Sequence, residues 1–432
     1  MKIVLIDPHG FSDGLNTGLG YLSAVLDNYD VKIIDFNNKP GNEKRRLRIV
    51  KDADIIGISI KSYTLQDSLK TASLIKEINK NALLVAGGPH VTLDGYNFLK
   101  ENPDFNVAIL GEGEEVFPEI ALGKNLQEIE GIIFRNDAIV INERRRWIDD
   151  LDRLPFPKYD NFDSVIADNN KIEPYPLVTS RGCPFSCIYC SVGNVIGKKW
   201  RARSPKNVIN ELIHAKEKYQ SKEFRILDDN FTLDMKRVKD ICQLLIDEKI
   251  NLRWGCPNGI RADNLDEGLL KLMKESGCYS ISFGIESGNE EVFDRINKGE
   301  KLGDIENAVR IAKKIGLEVN GFFIIGLPGS TYEKDKESME FAKKLKLNSA
   351  SFGILVPYPG TDVWEWINND KNVKILMDWR KGFHIGFKPA PVFETNDYKA
   401  KEMLKAFYLA NLKFMKSRSL LFILKTIINK FK

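Results

Sequence analysis

Short apolar runs alternate with helical patterns through two separate stretches of this chain, and that rhythm leaves few folds open to it. In the first stretch Ile3–Ile6, Val31–Ile34, Ile55–Ile60, Ala82–Ala86 and Val107–Leu110 read as strands. Between the third and fourth, Leu65, Leu69, Ala72, Ile75 and Ile78 recur at helical spacing, which predicts a helix laying one apolar face on a sheet. Strands separated by helices pair in parallel through right-handed crossovers. Five of them predict a doubly wound α/β domain over residues 1–135.

The texture then changes. Gly131–Ile141 reads as a small hairpin around Asn136-Asp137. Leu154-Pro-Phe-Pro157 and Glu173-Pro-Tyr-Pro176 break any regular element, so a linker is expected over 136–174. From Leu177 the alternation restarts, with strands expected at Leu177–Ser180, Phe224–Leu227, Leu252–Gly255, Tyr279–Ile285, Val319–Ile325 and Ser351–Val356. Six βα units predict a barrel, or part of one, over 175–365, with its active site at the C-terminal ends of the strands. The rhythm fades after about residue 366 and leaves a helical C-terminal segment, 366–432.

With 432 residues, 43% hydrophobic and 29% charged, the chain can bury two or three ordinary domains. Its net charge of +4 is too small for the concentrated basic face of a nucleic-acid binder, so no nucleic-acid partner is expected. The N-terminus runs straight into a strand without an export signal, and no apolar run is long enough to span a bilayer; a cytoplasmic location is expected. Three of the six cysteines crowd into eight residues, which in a reduced compartment points to a metal site. Cys242, Cys256 and Cys278 are scattered and read as core thiols.

The crowded segment, Thr179-Ser-Arg-Gly-Cys183-Pro-Phe-Ser-Cys187-Ile-Tyr-Cys190, has the spacing C-x3-C-x2-C and follows a predicted strand. Three thiolates from one loop can hold three irons of a 4Fe–4S cluster and leave the fourth iron open to a small bidentate ligand. A structural zinc would want a fourth Cys or His close by; the nearest, His214, sits on a helical pattern. The spacing, the preceding strand and the aromatic at Tyr189 resemble the radical S-adenosylmethionine enzymes over roughly 175–360. That resemblance implies a partial (β/α)6 barrel with Cys183, Cys187 and Cys190 as cluster ligands. It also implies S-adenosylmethionine on the open iron, from which an electron from the cluster releases a 5′-deoxyadenosyl radical. Cosubstrate contacts are implied at Tyr189, at Asp228 and Asp229 after the second barrel strand, and at Glu286 and Ser287 after the fourth. Gly321 and Ile324 in the fifth would form the apolar wall beside the adenine. Taken singly, the carboxylates read equally well as helix caps or ion-pair partners, and Gly321–Gly326 as plain core. Arg261 is a further candidate.

Two ligands suit the N-terminal domain. Gly14-Leu-Asn-Thr-Gly18-Leu-Gly20 followed by Asp35 is an imperfect dinucleotide fingerprint, with Ser23 where the third glycine belongs. Ser62, Tyr63 and Thr64 after the third strand, Gly87, Gly88 and Pro89 after the fourth, and Gly111 and Glu112 after the fifth all fall at strand ends. This second pattern resembles the flavodoxin-like cobalamin-binding domain that precedes the barrel in one large subclass of radical enzymes. Asp7-Pro8-His9 partly matches the motif whose histidine ligates cobalt, but Ser12 replaces its glycine.

Residues 401–432 mix lysines with leucine, isoleucine and phenylalanine, which predicts either a docked helix or peripheral membrane contact with a lipid-like substrate. The expected function is that of a cobalamin-dependent radical enzyme, a methyltransferase acting on an unactivated carbon of a small-molecule substrate and fed by a reducing electron donor. A radical cyclase or rearrangement enzyme without methyl transfer, and a non-catalytic iron–sulfur redox sensor, are the alternatives.

Overall fold

The computed structural model describes residues 1–10, 14–263, 265–381 and 389–414. Strand β1 (Lys2–Asp7) lies between β2 (Asp30–Asp35) and β3 (Ile55–Ser59), with β4 (Leu83–Gly87) and β5 (Val107–Ile109) beyond, all parallel. The expected hairpin forms as β6 (Ile132–Arg135) and β7 (Ile139–Ile141) and adds antiparallel to β5, so the first sheet has seven strands and runs to Ile141. The order 2-1-3-4-5 is that of a flavodoxin-like doubly wound sheet, and it reverses between β1 and β3, where a crevice opens at the carboxyl ends of the strands. These strands are apolar on both faces because both are covered. Val4, Ile6, Ile56, Ile58 and Leu84 form one core with Leu65, Ala72 and Ile75 of helix Leu65–Ile78. Ile3, Leu5, Ile55 and Val85 face the other way, into a core continuous with the rest of the chain.

Strands β8 (Tyr175–Leu177), β11 (Glu223–Ile226), β12 (Arg253–Ile260), β13 (Cys278–Glu286), β14 (Glu318–Ile325) and β15 (Ser349–Ile354) form a second, six-stranded parallel sheet in sequence order. Its two edges, β8 and β15, are not paired to each other, so the barrel is partial. Between β8 and β11 a separate antiparallel pair, β9 (Ser180–Arg181) and β10 (Arg201–Ala202), carries the chain into and out of the cysteine loop. Along β14 burial alternates: Val319, Gly321, Phe323 and Ile325 lie under helices, while Asn320, Phe322 and Ile324 line the opposite, more open face. Cys242, Cys256 and Cys278 are all buried core thiols, as expected.

The C-terminal helix Ala400–Phe414 docks on β15: Phe414 stacks on Phe352 at 5.7 Å, and Asn411 Nδ2 donates to the Phe352 carbonyl (3.0 Å). Residues 415–432, which hold most of the basic and apolar residues noted in the tail, lie outside the described residues. Among the described residues no helix is long and apolar enough to cross a membrane. Ahead of the docked helix, Tyr398 donates its hydroxyl to Asp335 Oδ2 (2.8 Å), and Asp335 also accepts from Ser330 Oγ (2.6 Å) and the Gly326 amide (3.2 Å). Burial pushes the Asp335 carboxyl up to about 6. A group held above its unfolded value stabilises the fold below that value and loses the contribution as pH climbs through its folded one. Stability should therefore fall by about 3 kcal/mol between roughly pH 4 and 6 on this group's account. Asp335→Asn is expected to flatten that part of the stability curve in urea unfolding; a slope unchanged from wild type would show that Asp335 does not titrate there.

Candidate active site between the two sheets

The cysteine loop leaves the end of β8 and is braced by three other segments. Gly182 sits at φ +85°, and a Cβ there would lie 2.5 Å from the Lys199 carbonyl oxygen and 2.8 Å from that of Gly197. The Ile188 amide donates to Ile296 O (3.1 Å), Asn297 Nδ2 to Ser186 O (3.2 Å), and the Val363 amide to Ile188 O (3.1 Å). Arg261, tied to Asp263 and to the Lys298 carbonyl, stacks its guanidinium over Phe185, 3.6 Å from the ring centroid.

Cys183, Cys187 and Cys190 are unbridged and half-buried, and burial, with the neighbouring thiols adding to it, raises the Cys187 and Cys190 thiol pKa values. Burial pushes the Cys190 thiol up to about 12, so iron binding there must displace a proton. Asn230 points its amide nitrogen at Cys183 Sγ (3.7 Å). Among the described residues no three His, Cys, Asp or Glu side chains converge tightly enough to hold one metal ion. Three free thiols spread on one braced loop fit a multi-iron cluster better than a single zinc.

The residues expected around the cosubstrate take different places. Asp228 is buried and fully engaged: it accepts from the Thr179 amide (2.6 Å), Thr179 Oγ1 (2.5 Å) and Ser180 Oγ (2.6 Å), and so clamps the start of the cysteine loop. Asp229 instead faces a cavity, with one oxygen on the Gly182 amide (3.2 Å) and its carboxyl pushed up to about 6 by burial. Glu286 ends β13 in the left-handed region (φ +66°), buried, beside the Tyr189 side chain and 3.6 Å from Lys298 Nζ. Ser287 turns away to Ser338 Oγ (3.3 Å) and the Asn289 amide. Gly321 lies on the helix-covered face, where a Cβ would meet Leu347 and Ile285 at 2.7 and 2.9 Å; Ile324 lies on the open face. Strand alternation separates the two, because an odd offset along a strand puts residues on opposite faces.

A cavity of about 360 Å³ joins the sheets. Its inner part is apolar, bounded by Leu5, Gly57, Val85, Ile109 and Phe117 on one face of the first sheet and by Leu19 and Leu22. Its outer part reaches Ser180, Arg181 and Asp229 beside the cysteine loop. Of the residues expected to meet cobalamin, Gly87, Gly88, Pro89, Gly111 and Glu112 line it. Gly87 has open space where a Cβ would go, whereas Gly88 (φ +100°) is needed for the backbone itself, since a Cβ would lie 2.8 Å from Ile60 O. Ser62, Tyr63 and Thr64 are not on the lining: Ser62 bonds His90 Nδ1 (3.1 Å), Thr64 bonds the Lys61 backbone, and the Tyr63 ring lies 5.8 Å from Lys61 Nζ. His9 is not on it either; it bonds Glu43 (3.0 Å) and stacks on Phe36.

Sequence reasoning missed Asn16, Thr17 and Arg181 on the lining, and within the segment Ser59–Thr64 it singled out Ser62, Tyr63 and Thr64 where Ser59 and Lys61 are the residues that reach the cavity. The signal for the first two was present in the glycine-rich turn, which does reach the ligand cavity through Gly18. Glu112 does more than line the cavity. It accepts from Arg181 Nη1 (2.7 Å), Arg201 Nη1 (2.8 Å) and the Ile148 amide (2.8 Å), while Arg181 Nη2 donates to Glu114 (2.6 Å). Trp147 fills the gap between Gly111 and Gly197, where a Cβ at either position would meet its ring. The loops of the two sheets are thus tied to each other directly.

Residues 177–342 match the family model for the radical SAM superfamily, and residues 9–121 match that for the B12 binding domain. The chain is 36% identical to the uncharacterized methyltransferase PH0819 of Pyrococcus horikoshii, over 96% of this chain and 92% of that protein. It is 29% identical to the cytidylyl-2-hydroxyethylphosphonate methyltransferase of Streptomyces wedmorensis, over 80% of this chain and 76% of that protein. The fold matches the radical S-adenosylmethionine methyltransferase TsrM from Kitasatospora setae, solved with cobalamin and a 4Fe–4S cluster, at a TM-score of 0.77 and 14% identity over 97% and 91% of the two chains. The cofactors are accordingly a 4Fe–4S cluster, S-adenosylmethionine and cobalamin. Two matched domains in this order and a relative similar along nearly its whole length establish the kinship: the chain belongs to the cobalamin-dependent radical S-adenosylmethionine methyltransferase family.

Proposed function

We propose that this chain methylates an unactivated carbon of a small molecule held where the cavity meets the cysteine loop. The observation that carries the reading is the cavity itself, which runs from an apolar slot in the first sheet to Asp229 and to Ser180 and Arg181 at the start of the cysteine loop. Residues 1–135 would hold cobalamin and residues 175–365 the cluster and cosubstrate. When bound, these groups supply the electron that opens the cosubstrate's C–S bond and the carrier for its methyl group.

The chain's own residues do the rest. Cys183, Cys187 and Cys190 would bind the cluster, with Asn230 donating toward Cys183 Sγ. Tyr189 and Glu286 would receive the methionyl end of the cosubstrate, Ile324 would flank its adenine, and Asp229 would face the substrate side. Asp228 keeps the loop in register. The apolar slot around Leu5, Gly57 and Phe117 excludes water from the inner end of the cavity.

Isotope tracing tests the reaction. Anaerobic extract supplied with methyl-labelled S-adenosylmethionine and the reduced enzyme should yield one labelled product. Formation of 5′-deoxyadenosine with no labelled product would move the assignment to cyclisation or rearrangement. Cobalamin binding has its own test. Gly87→Leu puts a side chain into open space in the cavity, so the protein should fold normally yet hold at most about a tenth of the wild-type cobalt, which corresponds to about 1.4 kcal/mol of lost affinity. Full cobalt content in that variant would place cobalamin elsewhere. A lipid-like substrate with membrane contact through 401–432 is a secondary reading that rests on the sequence of 415–432. Failure of the full chain to float with anionic vesicles would remove it.

A further inference from the structure

The open face of β13 carries a buried cation that the chemistry above does not use. Lys298 Nζ lies over Gly284: a Cβ on that glycine would stand 3.1 Å from the ammonium and 2.4 Å from Glu286 Oε1. The ammonium donates to the Gly284 carbonyl and pairs with Glu286 (3.6 Å) and Glu300 (3.1 Å), and its side chain is only 7% exposed. Its backbone is held as firmly, because the Lys298 carbonyl accepts from Arg261, whose guanidinium covers Phe185 of the cysteine loop. Glu300 in turn accepts from the Ala262 amide (2.6 Å). One cation is thus shared by two buried carboxylates, of which Glu286 also lies against Tyr189 of the cysteine loop.

We propose that Lys298 is a positioning residue for S-adenosylmethionine: it fixes the rotamer and charge of Glu286 so that one carboxylate oxygen remains directed at the cosubstrate's amino group. A buried carboxylate without a paired cation would turn toward another donor or take up a proton, and either change removes the acceptor. The proposal rests on the assignment of the cosubstrate to Glu286 and Tyr189.

Reconstituted holoenzymes of wild type, Lys298→Met and Lys298→Arg are titrated anaerobically with S-adenosylmethionine, following the electron paramagnetic resonance of the reduced cluster. A wild-type spectrum that the cosubstrate leaves unchanged counts against the proposed function as a whole. With a responsive wild type, Lys298→Met should need at least about tenfold more cosubstrate for half the change, and Lys298→Arg should stay within about threefold. A Lys298→Met titration within twofold of wild type, or a Lys298→Arg loss as large as that of Lys298→Met, would overturn the proposal. Should Lys298→Met not load iron, Glu300→Gln decides the matter, because it leaves the ammonium to Glu286 alone. Wild-type affinity in that variant supports the proposal, and a tenfold loss refutes it.

Discussion

Gly182→Ala should leave the purified protein with less than one iron per chain, against about four in the wild type. Gly182 is the residue before the first cysteine, and it has a left-handed backbone that costs a non-glycine residue about 1–2 kcal/mol. The larger cost is steric. The new methyl group would stand 2.5 and 2.8 Å from two carbonyl oxygens, Lys199 O and Gly197 O, and backbone oxygens on a braced segment cannot swing aside as a side-chain tip can. The loop must then shift off the 197–199 segment, which breaks the bond from the Cys183 amide to Gly197 O (3.3 Å) and moves the first thiol away from the other two. One face of the first sheet has a core of its own, but Val195 and Ile196 of this loop line the cavity, so cobalt content should fall less than iron content. Iron analysis after anaerobic reconstitution reads the result; four irons in Gly182→Ala would mean that the loop has more freedom than its packing implies.

Arg181→Met should lower both iron and cobalt and cost about 3–5 kcal/mol, since removing one partner of a buried ion pair strands the others. Arg181 bonds Glu112 and Glu114 of the first sheet's loop from a position two residues ahead of Cys183, and its guanidinium also covers the Tyr21 ring at 5.0 Å. Without it Glu112 and Glu114, two residues apart on one loop, lose their shared cation, and Glu112 keeps Arg201 and the Ile148 amide. A triple variant that adds Glu112→Gln and Glu114→Gln removes the stranded charges and should recover part of the loss. Thermal unfolding with metal analysis separates the cases: a triple variant no more stable than the single one would assign the cost to lost packing on Tyr21.

The path from sequence to site was uneven for identifiable reasons. The three cysteines were legible because their chemistry depends on spacing within one loop. The strand ends were legible because periodicity marks where apolar runs stop. The roles of Asp228 and Asp229 were not separable in sequence, since adjacent residues differ only in which way the chain turns; one closes on Thr179 and Ser180 while the other faces the cavity. The same applies to Ser62 and Thr64, whose hydroxyls are taken by His90 and by the Lys61 backbone. Gly321 and Ile324 were read as one wall, yet three residues along a strand reverse the face. The glycine-rich turn at Gly14–Gly20 gave a weak match to a different ligand motif, and its contribution to the cavity became visible only when Gly18 was placed beside Gly87 and Gly111.

By itself the sequence determined the two parallel sheets, their order along the chain, the three thiols and the core cysteines, because each follows from local periodicity or from residues adjacent in the chain. Tertiary structure alone decided which strand-end residues face the cavity, that Glu112, Arg181 and Arg201 bind the two halves together, and that Lys298 lies against Glu286. These contacts join residues from 12 to 89 positions apart. No spacing rule reaches so far, and the pairings exist because the fold brings these charged groups together where burial removes the water that would otherwise solvate them.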